Sequence, residues 1–201
     1  MENFIVISGI FLLGAMSPGP DLIITMRQSL LNGRFAGILA AIGIFFGCCL
    51  NAIISIAGLG LIIYQSAIAF GILKIIGASY LIYLAYNSFK SKGINIEKEK
   101  QQETNKKENP FLIGFLTNAS NPKVILFMLA LFPIIVPPET SLAIKAGYGL
   151  WYAVVVSGWF VFVSFVFSNV RARMIFSRAS KYIDYSFGII LAMLGIRLLF
   201  M

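Results

Sequence analysis

The chain has no histidine, few charges and only two cysteines, and each scarcity narrows what it can be. Without histidine, the side chain best suited to proton transfer near neutral pH and to metal ligation is missing. Cys48 and Cys49 are neighbours inside an apolar run, so they offer no zinc or copper ligand set and read as two small core residues. No metal and no other cofactor is expected. Charged residues make up 12% of the chain, against about 25% in a soluble domain. What fills the space is apolar: 59% of the 201 residues are hydrophobic. Long apolar runs then decide the class, an all-α polytopic membrane protein. The start Met1-Glu2-Asn3 has no basic region, so a cleaved signal peptide is not expected.

Six apolar segments are long enough to span a bilayer: Phe4–Leu31, Phe35–Tyr64, Ala67–Phe89, Phe111–Val136, Leu142–Asn169 and Ile183–Phe200. The connections after the first, third and fifth carry Arg27, Arg34, Lys90, Lys92, Lys98, Lys100, Lys106, Lys107, Arg171, Arg173, Arg178 and Lys181, which are twelve of the sixteen basic residues. Basic loops stay inside, so this face is expected to be cytoplasmic and both termini external. The net charge of +8 is therefore a topology signal. A nucleic-acid partner is not expected, because the basic residues are split among three loops and interleaved with Glu97, Glu99, Glu103 and Glu108.

The whole chain, 1–201, reads as one transmembrane transporter domain. The polar stretch 91–109 reads as a cytoplasmic linker between half one, about 1–90, and half two, about 110–201. Three spans per half is an odd number, so the halves enter the membrane in opposite senses, as in an inverted repeat. A faint likeness of Gly77–Leu84 to Gly188–Leu194 points the same way.

Two spans carry breaks. In span one, Ser17-Pro18-Gly19-Pro20-Asp21 places two prolines and a carboxylate inside an apolar run. The prolines deprive the carbonyls of Gly14 and Met16 of their helical donors. In span four, Asn118, Asn121, Pro122 and Lys123 form a second break, and Pro122 deprives the Asn118 carbonyl. Broken backbone at membrane depth survives only where protein or a watery cavity covers it, and charges there mark pathways. At 1.5 Å per residue, Asp21 lies roughly 15 Å from the Leu31 end and Lys123 roughly 18 Å from Phe111. Both are near the middle of a ~30 Å core. They either pair with each other or flank a substrate that carries both charges. The half-helices beginning at Pro20 and Pro122 are expected to present free amide ends that suit a carboxylate. Asp21 and the freed carbonyls suit an ammonium group. Together these features fit an amino-acid zwitterion.

Other marks have plainer explanations. Gly43 and Gly47, like Gly37 and Ala41, make small-xxx-small pairs that favour close helix packing. Asp184 stands beside Lys181 where the sixth segment begins and fits a helix N-terminus.

The breaks also carry a likeness. The stretches 17–21, Gly33–Gly37, Leu73–Leu81 and Gly114–Lys123 resemble, in order and spacing, those of the LysE/RhtB family of bacterial amino-acid exporters. The resemblance covers most of the chain. It implies six transmembrane helices in the bacterial inner membrane, homo-oligomerisation and efflux of amino acids driven by the proton-motive force. Many members carry a histidine in the second span near the position of Asn51. Its absence here rules out a histidine proton relay and leaves Asp21 as the candidate proton carrier. The expected function is thus export of a small amino acid or related amine, with protons and lipid as further partners. A cation or other small-metabolite exporter is the alternative. An intramembrane enzyme would need more than Ser17 beside Asp21, and a structural subunit would tolerate loss of Asp21.

Overall fold

The computed structural model describes every residue except 1, 66, 92–108, 137, 138, 168, 169 and 201; side chains at 2, 3, 59–65, 67–70, 73, 74, 133, 134 and 170–173 are also outside the description. Most of the linker expected at 91–109 therefore lies outside the described residues. The described residues form eight α-helices and no strand: α1 Glu2–Met16, α2 Pro20–Leu31, α3 Arg34–Gln65, α4 Ala67–Lys90, α5 Pro110–Ala119, α6 Pro122–Ile135, α7 Leu142–Val166 and α8 Val170–Leu199.

Local sequence sets the helix ends. Proline has no amide hydrogen to lose and is pre-organised for the first helical turn, and α2, α5 and α6 each begin on one. Asparagine caps two of these starts. Asn109 accepts from the amides of Phe111 at 3.0 Å and Leu112 at 3.3 Å, and Asn121 accepts from that of Lys123 at 3.0 Å. The turn from α2 into α3 passes through Gly33 at φ 83°, a left-handed conformation that suits glycine. Pro18–Gly19 and Ser120–Asn121 do not continue their helices, so α1 and α2 meet at 62° and α5 and α6 at 52°.

Helix α3 is the centre of the packing and lies against α2, α5 and α7, while α4 pairs with α8. The contacts fix directions. A Cβ on Gly37 would meet Ser164, and one on Gly149 would meet Ala52, so α3 and α7 run antiparallel. Gly114 lies against the Ala40 backbone and Gly47 against Asn118, so α3 and α5 run parallel. Gly188 lies against Ala85 and Phe89, and Gly195 against Ala78, so α4 and α8 run antiparallel. The expected close approach at Gly43 is present: any side chain there would run into the backbone of Phe111 and Phe115.

The core between the helices is apolar, with Phe11, Leu22, Ile44, Leu131, Phe160 and Leu191 almost fully buried. The outside is apolar too: Ile53, Phe162 and Ile175 are more than half exposed. Such a surface needs lipid rather than water. Among the described residues, Arg34–Gly58, Leu142–Val166 and Met174–Leu199 are long and apolar enough to cross a membrane, and the number rises to five if each bent pair is one span. This is an all-α polytopic membrane protein. The last helix departs from expectation. It starts at Val170 and not near Ile183, so Asp184 sits in the body of α8, not at its N-terminus.

Candidate functional site

The two breaks meet. Asp21, in the first turn of α2, is 7% exposed. Its Oδ2 accepts from the side-chain amides of Asn118 at 3.1 Å and Asn121 at 3.2 Å. Asn51, in the body of α3, donates to the carbonyl of Asn118 at 3.1 Å and to its Oδ1 at 3.3 Å. That second bond turns the Asn118 amide so that its NH₂ faces Asp21. The result is an ordered series, Asn51 to Asn118 to Asp21, that ties α3, α5 and α2 together. It also occupies the Asn118 carbonyl, which was expected to be free for a ligand. Asp21 Oδ1, by contrast, is buried and has no hydrogen-bond partner.

Lys123 follows Pro122 in the first turn of α6. Its Nζ donates to the Ser17 carbonyl at 3.3 Å and to Ser17 Oγ at 3.0 Å. The Ser17 hydroxyl in turn donates to Asp184 Oδ1 at 2.9 Å. Ser17 and Asp184 are both buried, and the Lys123 ammonium stands 5.1 Å from the Phe187 ring centroid. The two charges expected at one depth are thus held by different partners, Asp21 by asparagines and Lys123 by Ser17. With all three groups ionised, Asp21, Asp184 and Lys123 leave one net negative charge, which a bound cation would neutralise.

The half-helix starts differ from one another. The first turn of α6 is capped by Asn121, whose side chain takes the Lys123 amide and whose carbonyl takes those of Val124 and Ile125. The two free ends expected are therefore one. Helix α2 follows Gly19, which has no side chain to cap it. Its first backbone bond runs from Ile23 to Gly19, so the amides of Asp21 and Leu22 have no acceptor among the described residues.

A pocket enclosing about 450 Å³ of space, mouth included, opens at this junction. Ser17, Gly19, Asp21, Asn121 and Lys123 form its polar side, and Phe11, Phe127, Tyr152, Phe160 and Phe187 its aromatic side. Pro18, Pro20 and Pro122 shape the breaks, while Asn51 and Asn118 stand behind Asp21. All ten residues expected at the site, Ser17 to Asp21, Asn51, Asn118 and Asn121 to Lys123, are gathered here. Sequence reasoning missed Asp184. The signal was available in the spacing: Ser180, Asp184, Phe187 and Leu191 are all buried and recur at helical intervals, which places Asp184 on an inward stripe.

Comparison with known proteins gives a consistent set of likenesses. The family model of the LysE type translocators matches residues 12–201. The threonine efflux protein of Escherichia coli is 28% identical over 98% of this chain and 97% of its own length. The homoserine/homoserine lactone efflux protein of Salmonella typhimurium is 33% identical over 64% of this chain and 63% of its own. An uncharacterised membrane protein of Bacillus subtilis, YrhP, is 30% identical over 90% of both. No solved structure matches.

Proposed function

The chain belongs to the LysE type translocator family, and from that premise we propose that it exports a small amino acid or related amine from the bacterial cytoplasm, driven by the proton-motive force. The observation that carries this is Asp21 Oδ1: a buried carboxylate oxygen on the wall of a pocket, with no partner of its own. Burying such an atom unpaired costs free energy unless something fills the place. A substrate ammonium or a proton does so, and only one of them at a time, which is what exchange requires. The substrate carboxylate has Lys123 and the open amides of α2 on the same wall. The efflux proteins for threonine and homoserine among its relatives support a small amino acid.

The membrane frame belongs to the same reading. Six spans, formed by α1–α2, α3, α4, α5–α6, α7 and α8, make two inverted halves in the inner membrane, with both termini outside and copies assembling as homo-oligomers. The helix directions support the alternation: α3 runs against α7 and with α5, as second, fifth and fourth spans of a serpentine chain do. The test is export itself. Cells with and without the protein are fed dipeptides to load the cytoplasm, and every amino acid in the medium is measured over time. At least one should leave faster with the protein present, and a protonophore should abolish the difference. Identical profiles for all amino acids would overturn the reading.

A further inference from the structure

Asp184 and the Ser17 hydroxyl have no task in that account. We propose that they are positioning residues: they station the Lys123 ammonium as the anchor for the substrate carboxylate, and so make the transporter prefer amino acids over the same molecules with the carboxylate masked. The inference rests on the reading of the site as an amino-acid site.

Lys123 carries its charge at the end of a flexible stem. Four methylenes give the ammonium wide freedom. Left to itself, it would be drawn to Asp21, whose Oδ1 has no partner, and would fill the place of the substrate ammonium. The structure shows it elsewhere, bonded twice to Ser17. A hydroxyl has one proton and two lone pairs. The Ser17 proton goes to Asp184, so a lone pair faces Lys123. Asp184 thus fixes the polarity of the hydroxyl that receives the ammonium and adds a negative charge behind it. Both carboxylates are within electrostatic reach of Lys123, and the hydroxyl bond favours the Asp184 side.

The station matters because of what lies beside it. A Cβ on Gly19 would stand 3.5 Å from Lys123 Nζ, so the ammonium sits at the open start of α2. The unaccepted amides of Asp21 and Leu22 belong to that same first turn. Two of the three ammonium hydrogens are spent on Ser17, and one is left. Ammonium and amides make a positive pole at one end of the polar wall, and Asp21 Oδ1 makes the negative pole. A free α-amino acid has the matching charges on one carbon. An amine with its carboxylate masked reaches only the negative pole.

The experiment uses purified full-length protein in sealed liposomes with an imposed proton gradient. The probes are the amino acid that the wild type moves fastest, chosen from the twenty common ones, and the primary amide of that same amino acid. In wild type the acid should have the lower KM. Asp184→Asn should cut the acid-over-amide preference in kcat/KM at least tenfold, by raising the KM of the acid. Ser17→Ala should do the same, and Ser17→Thr, which restores a hydroxyl, should bring most of the preference back. Lys123→Gln should abolish it, and Lys123→Gln with Asp184→Asn should lose no more than Lys123→Gln alone, because Asp184 acts through Lys123. If Asp184→Asn does not fold, the Ser17 pair decides. A residue that merely supports packing would depress acid and amide alike, and an unchanged preference in Asp184→Asn and Ser17→Ala would overturn the proposal. Asp21→Asn should instead impair both probes, since both carry the ammonium. If the wild type moves no amino acid, the reading of the site falls first and this inference falls with it.

Discussion

At the scale of single residues the chain is economical with charge. It has two aspartates, Asp21 and Asp184, and both end up in the body of the protein around one lysine. The first was legible because it interrupts an apolar run beside two prolines. The second was not, because Lys181 and Arg178 stand just before it and the pair of signs looked like the edge of a span. What a sequence hides here is how far a helix extends before its apolar stretch begins. The side-chain amides were legible as polar marks, but their order was not. That Asn51 orients Asn118, which then holds Asp21, depends on α3 and α5 touching closely. Asp21→Asn tests the role of the charge. The substitution keeps the size and one acceptor for Asn118 and Asn121, so the mutant should insert and accumulate normally. Export should drop at least tenfold, the loss of about 1.4 kcal/mol or more at a functional step. Export and membrane abundance measured together separate this from a packing role, in which abundance falls and export per molecule holds.

At the scale of elements the breaks were the most legible feature, since proline acts on its own backbone. Their consequences were legible only in part. Asn-Pro at 121–122 supplies its own cap, whereas Gly-Pro at 19–20 does not, and that difference makes α2 the open helix end. Proline at the first helical position costs little. Replacing Pro18 and Pro20 by Ala should therefore change the melting temperature in detergent only slightly, yet it permits one continuous helix. Export should be lost, because Ser17 and Asp21 would then turn with that helix. Full export in the double mutant would reduce the bend to a packing detail. The small-residue seams offer a second test. On Gly114, a Cβ would run into the Ala40 carbonyl, while on Gly158 it meets nothing within 4 Å. Overfilling a packed interior costs about 1–3 kcal/mol. Gly114→Ala should lower the melting temperature measurably and Gly158→Ala should not; equal effects would mean that the α3–α5 contact is looser than it looks.

At the scale of the whole molecule, orientation is a matter of where the charge is, and most of the basic residues fall between positions 90 and 107 or between 171 and 181. In the proposed topology, segments 27–34, 90–107 and 171–181 lie on one side and hold twelve basic residues, while Lys145 and Arg197 are among the few on the other. The packing does not know which side is inside. It gives relative directions, α3 against α7 and α4 against α8, and these hold equally for either orientation. The proposed orientation takes its sign from the sequence, because translocating a short lysine-rich segment against the membrane potential is unfavourable at about 2.3 kcal/mol per charge per 100 mV. The six lysines from Lys90 to Lys107 make the central connection the strongest determinant. A reporter that is active only outside the cytoplasm should therefore work when fused after Met201 and fail when inserted at Gln101. Changing the six lysines to Gln should weaken the preference and yield a mixed population, with some Gln101 insertions becoming active. Activity at Gln101 and silence at Met201 in the unaltered chain would invert the assignment. Asp21 would still face the pocket, but the transporter would meet its substrate from the opposite side of the membrane.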